Sequence, residues 1–137
     1  MTGEEARRRF TAARVARLAT ADAEGVPHLV PVVFAVQDDS VFVAVDRKPK
    51  RTTALKRLAN VRANPRVALL ADHYEEGWEA LWWVRADGSG RVVEPGSDDA
   101  RHAVRLLQDR YPQHRAEPPE GPVLVVAVER WSGWSAR

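Results

Sequence analysis

Eight basic residues and a single acid fall between Asp46 and Arg66, in the run DRKPKRTTALKRLANVRANPR. Lys50 and Arg51 stand directly before two hydroxyl side chains, Thr52 and Thr53, and Lys56 and Arg57 follow about one helical turn later. A helix capped by Thr52 or Thr53 points its first N–H groups outward at the place where those cations gather, a combination that binds phosphate and other compact anions. Each charge-assisted hydrogen bond to such an anion contributes roughly 1.5–3 kcal/mol before desolvation is subtracted, so two or three would anchor a ligand by one end. Asn60 lies on the same helical face as Lys56 and offers one more polar group, with capping of local backbone as its alternative role. The competing reading of the whole run is a solvated helix face.

The remaining side chains offer little chemistry of their own. The chain has no cysteine, which excludes a thiolate nucleophile and a cysteine-ligated metal. Its four histidines, His28, His73, His102 and His114, form no pair at metal-ligand spacing, and no serine sits in a nucleophile elbow. The GSG at Gly88–Gly90 precedes no helix, so it is neither a dinucleotide fingerprint nor a phosphate loop of the Walker type. If the protein is an enzyme, its reactive atom belongs to a bound cofactor, and the chain supplies position and electrostatics.

Two further patterns concern a flat ligand. Pro27 and Pro31 are four residues apart in an apolar strand, so their missing N–H groups aim at the same side of the ladder. Such a strand is either an edge protected from aggregation or an opened seam where a ring can approach the backbone around Pro31, Val32 and Val33. Among the five tryptophans, Trp82 and Trp83 are adjacent on a strand and must face opposite ways. Trp131 and Trp134, in the tail WSGWSAR, cover a barrel end or dimer contact, or else wall an aromatic cofactor across a subunit interface.

The elements that must position these groups follow from pattern. Thr2 and Glu5 fit a capping box that starts a helix over about Gly3 to Ala13. ARVARLAT, VPHLVPVVFAVQ and VFVAVD read as three antiparallel strands joined by hairpins. In the second, both alternating sets are largely apolar, as in a strand covered on its two faces. Leu55, Leu58 and Val61 give the basic segment an inner stripe, and Asn64-Pro65 ends its helix. VALLAD is the next strand, and HYEEGWEA a loop. ALWWVRADGSGRVVE is a long strand or hairpin with a bulge or bend near Gly88 and Gly90. Ser97 caps a helix with Ala100, Val104 and Leu107 on its inner stripe, Pro112 stops it, and VLVVAVER is the last strand. The total is an α+β, mainly β fold: six or seven antiparallel strands in a small barrel with flanking helices, one domain over residues 1–137.

Composition narrows the partners. The basic run carries a local charge of +7 and the remainder −5, so the net +2 hides a focused patch. That focus suits a compact anion; a nucleic-acid binder would spread its cations and interleave aromatics among them. No apolar run approaches the length of a membrane span, and the charged N-terminus lacks the apolar core of a signal peptide, which points to the cytoplasm.

The order of elements and several strings together resemble the split β-barrel flavin and deazaflavin oxidoreductases related to pyridoxamine 5′-phosphate oxidase. Within them the chain is similar to small actinobacterial proteins dependent on coenzyme F420. The resemblance runs through ARLATADAEGVPHLVPVVFAV, KPKRTTALKRLANVRANPRVALLAD, LWWVRADGSGRVVE and VERWSGW. It implies an FMN-binding split-barrel fold, a homodimer with two cofactor sites at the interface, and hydride transfer between a deazaflavin and a small organic substrate. By the same resemblance Lys50, Arg51, Thr52, Lys56 and Arg57 hold the cofactor phosphate, Pro31, Val32 and Val33 flank the ring, and Trp131 approaches it from the other subunit. The stretch from Arg47 to Arg57 is longer than in the pyridoxamine phosphate oxidases, which favours coenzyme F420 over FMN as cofactor. FMN, or F420 binding without turnover, is the alternative. No side chain is an evident proton donor, with His73 and Tyr74 as candidates by their place near a strand end.

Overall fold

The structure is a computed structural model that describes residues 1–45 and 52–136, with side chains throughout except at 52–55. Its elements run α1 (Gly3–Ala12), β1 (Ala16–Ala21), β2 (Pro27–Val32), β3 (Ala35–Gln37), β4 (Ser40–Ala44), α2 (Thr52–Ala63), β5 (Arg66–His73), β6 (Trp82–Val93), α3 (Asp98–Arg110), α4 (Pro112–Ala116) and β7 (Val123–Ser135). A 3-10 turn, Trp78–Ala80, interrupts the loop before β6. The seven strands form one antiparallel sheet in the order β2-β1-β5-β6-β7-β4-β3, so the mainly β architecture with flanking helices is as expected.

The two strands at opposite ends of that order, β2 and β3, are joined by only Val33 and Phe34. Val32 and Ala35 are three steps apart, at most about 11 Å, so the sheet has to curl until its edges meet at this corner. The continuous strand expected from Val26 to Gln37 is thus two strands, paired to opposite margins. The periodicity breaks where it bends: Phe34 and Ala35, consecutive residues, are both buried.

The corner is pinned from far away in the chain. Tyr111, just after α3, accepts a hydrogen bond at its hydroxyl from Phe34 N (3.3 Å) and aims its own proton at the carbonyls of Phe34 (2.9 Å) and Arg14 (3.1 Å). The Arg110 guanidinium lies 4.8 Å over the Phe34 ring and donates to the Ala13 carbonyl. Tyr111→Phe is expected to cost about 1–3 kcal/mol, since it strips a buried backbone N–H of its acceptor without changing shape. A urea midpoint that moves while the slope stays constant would register it.

The helices sit where their caps and stripes place them. Thr2 accepts from Glu5 N at 3.1 Å, while the Glu5 carboxylate turns to Arg8 and Arg9, so only half of the capping box forms. Ser97 Oγ accepts from Ala100 N at 3.1 Å and starts α3. Its buried stripe is Ala100, Ala103 and Leu107; Val104 is only half-buried. Pro112 does not simply stop α3: it opens α4, where its lack of an N–H is harmless. The presumed tail is the second half of β7, paired with β6 as far as Ser135. The bulge expected near Gly88 is present, with the β6–β7 register shifting between Asp87 and Gly88.

The main core fills the barrel with Leu18, Val41, Val43, Leu69, Val84, Leu124 and Val126, and α1 closes one end through Phe10, whose ring lies 4.6 Å from Phe34 and 5.4 Å from Trp131.

Candidate functional site

Helix α2 packs against β1 and β6 and turns Leu58 and Val61 into the core. Asn60, the expected extra polar group, is buried, and its Nδ2 donates to Thr20 Oγ1 on β1 at 3.1 Å; it bridges helix to sheet rather than capping its own turn. This bond fixes the rotation of α2, so Lys56, one turn earlier, comes out over the β1–β2 hairpin.

Three observations locate that basic turn. Asp22, in the hairpin, accepts at Oδ1 from Val26 N and Glu24 N, both at 2.9 Å. Its carboxyl is held below the ordinary range by the Val26 bond first, with the Lys56 charge contributing. His28, on β2 directly across from Thr20, has its pKa lowered by burial first and then by the positive charges of Lys56 and Arg57. Lys56 is exposed and forms no ion pair among the described residues.

The structure therefore brings Lys56 and Arg57 to the strand that carries Pro31 and Val32. From His28 to Pro31 is three residues, about 10 Å of strand, so the cations and the prolyl edge share one margin of the sheet. Strand β2 has β1 as its one neighbour in the sheet, so its other side is an edge. Pro31 is exposed on it, Val32 is buried and Val33 is half-buried at the corner. Lys50 and Arg51 lie outside the described residues, as does the Thr52 side chain, although the helix begins at Thr52.

Trp131 is placed elsewhere. It lies on β7, which β1, β5 and β6 separate from β2 in the sheet; its ring packs on Phe10 and its Nε1 donates to Asp39 Oδ1 at 2.9 Å. An approach to a ring from a partner subunit is a geometry that a single chain does not contain. Trp134 is 48% exposed and pairs across strands with Trp83 on the outer face of the sheet. His73 pairs with Glu75 at 2.8 Å and stacks on Trp82, and Tyr74 is exposed.

Sequence reasoning passed over His28 and Thr20. The available signal was parity: His28 shares its side of β2 with the inward-facing Val30 and Val32. Depressions of about 330 and 510 Å³ share Thr11, Ala12 and Val36 beside α1, and another of about 470 Å³ lies between α3 and Pro119–Gly121.

The fold is found in solved structures of other proteins. A conserved hypothetical protein of Mycobacterium tuberculosis aligns with 100% of this chain and 86% of its own at 21% identity and a TM-score of 0.76. A FAD-binding protein of Mesorhizobium loti aligns over 97% and 94% at 25% identity and a TM-score of 0.73. The heme storage protein HutZ of Vibrio cholerae aligns over 98% and 95% at 18% identity and a TM-score of 0.71. No curated protein matches the sequence. The profile of the pyridoxamine 5′-phosphate oxidase family spans residues 2–135, almost the whole length over which the hairpin, the basic helix and the two long strands were traced. The chain belongs to the pyridoxamine 5′-phosphate oxidase family.

Proposed function

We propose that this chain is a cofactor-dependent oxidoreductase that binds coenzyme F420 and transfers hydride to or from a small organic substrate. The observation that carries the reading is the placement of Lys56 and Arg57 against the β2 edge, about three strand residues from Pro31. The residues fit a molecule with an anionic end and a flat end: Lys56 is uncommitted, and His28 Nδ1 is buried without a hydrogen-bond partner beside it. Lys50, Arg51, Thr52, Lys56 and Arg57 would hold the phosphate, while the backbone at Pro31–Val33 would flank the ring. The cofactor, when bound, supplies the carbon that accepts or releases hydride. The chain's part is to neutralise the phosphate, orient the ring along the strand edge and keep water from one ring face.

FMN is the second reading, supported by the FAD-binding relative from Mesorhizobium loti. Parallel titrations with coenzyme F420 and FMN, followed by tryptophan fluorescence, test both; the proposal expects tighter binding of F420 and oxidation of its reduced form when an acceptor is supplied. Binding without turnover would leave a carrier, and no binding of either would end the reading.

A homodimer belongs to the same proposal. The outer face of the sheet sets Leu29, Pro31, Leu70, Trp83 and Trp134 in neighbouring registers, with Leu29 66% and Leu70 38% exposed. Covering that apolar surface with a second copy is the symmetric solution. Leu70 pairs across strands with Arg17 and Arg85, so Leu70→Lys would add a third cation to the row, and two-fold symmetry would double the repulsion. Light scattering is expected to give twice the chain mass of 15.3 kDa for the native protein and the single mass for the variant.

A further inference from the structure

His28 is a polar group beside α2 whose ring the folded chain leaves incompletely satisfied. Its cross-strand neighbour Thr20 has its hydroxyl oxygen engaged by Asn60, and Asp22 spends Oδ1 on two backbone N–H groups of its own turn. His28 Nδ1 is shielded from solvent and makes no hydrogen bond. A buried polar atom of this kind is normally satisfied, and one that is not marks a place where an absent group belongs. The charged groups around it are Lys56 and Arg57 from α2 and Asp22 from the hairpin turn; Arg17 and Asp72 pair with each other at 3.7 Å on the outer face of the sheet. An added hydrogen-bond donor would bring no relief from those cations. An anion answers both needs, since its oxygen accepts from the imidazole while its charge offsets Lys56 and Arg57.

We infer that His28 is a third arm of the anion site, taking up one proton from solvent when a phosphate-class anion settles against Lys56 and Arg57. The inference rests on the phosphate-anchor reading above, though not on which cofactor carries the phosphate. In the free protein, burial and then the two cations lower the imidazole pKa. A bound anion offsets the positive charge of Lys56 and Arg57 and favours imidazolium. The linkage then has a fixed direction. The bound-state pKa lies above the free one, so affinity rises as pH falls through the bound value and levels off below the free value. Between them it changes by up to about tenfold per pH unit.

Sulfate is the probe of choice, because it stays a dianion throughout the range in which imidazole titrates. Histidine ring resonances of the native protein would be followed against pH, with and without sulfate, at constant ionic strength. His114 is the internal reference: its pKa is also lowered, by burial alone, and it lies on α4. The expected result is a rise of about one unit or more for His28 on adding sulfate, with His114 unmoved. In His28→Asn, sulfate binding should persist and lose its pH dependence. If His28 moves no further than His114, or if the Asn variant keeps the native pH dependence, the inference is overturned. The two proposals fail separately: cofactor binding with an unshifted His28 removes this one alone. A sulfate-shifted His28 in a protein that binds neither F420 nor FMN removes the cofactor reading alone.

Discussion

Gly88→Ala is expected to destabilise the fold by about 3 kcal/mol, at the upper end of what overpacking costs and a large share of the 5–15 kcal/mol typical of a domain. A Cβ at Gly88 would lie 2.2 Å from the Ala127 carbonyl oxygen, 2.9 Å from its carbon and 3.0 Å from Val128 Cα. All three are backbone atoms, so no rotamer change relieves the clash. The approach is close because the bulge is here: Asp87 pairs with Arg130 and Gly88 with Val128, which leaves Glu129 as an extra residue on β7. That residue is tied down, its carboxylate accepting from Ser89 Oγ at 3.1 Å and Arg66 at 3.4 Å, so the bulge cannot readily slide away. Gly77→Ala is the control, since a Cβ there meets nothing within 4 Å, and a change within about 0.5 kcal/mol is expected. Urea unfolding of both variants settles the matter; equal midpoints would mean that β7 yields at the bulge.

The Lys50→Ala, Arg51→Ala double variant is expected to lose about two orders of magnitude in affinity for F420. Two charge-assisted bonds at the low end of roughly 1.5 kcal/mol each amount to about that factor. Fluorescence titration beside the native protein measures it, and equal affinity would remove these residues from the phosphate anchor. The salt dependence of the same titration separates a compact anion from a nucleic-acid backbone. Binding to a polyanion releases many counterions and weakens by powers of ten over a modest salt range, whereas one phosphate group gives a shallow slope.

What could be read from sequence was whatever local chemistry decides. Ser97 and Thr2 announce their helices because a cap is satisfied within three residues. The Gly88 bulge was legible because glycine inside a long apolar alternation has few other uses. The corner at Val33–Phe34 was hidden, since what bends it is a tyrosine hydroxyl 77 residues later in the chain. The prolines at 27 and 31 were read as an edge or a seam, and β2 is an edge of the sheet in a single chain. Trp131 and Trp134 looked like a tail because serine and glycine between them carry no strand signal; pairing with β6 overrides that weak preference. The His28 environment was illegible for a different reason. It needs α2 lying over the hairpin, a contact between distant parts of the chain, to which the Asn60–Thr20 bond adds and which local pattern does not encode.

The two-residue joint between β2 and β3 bears on how quickly such a barrel can assemble. The strands at the two margins of the sheet are neighbours along the chain, so bringing those margins to one corner adds almost no loop-closure entropy. The slow search falls instead on β1 with β5 and on β4 with β7, pairings whose partners are separated by long stretches of chain.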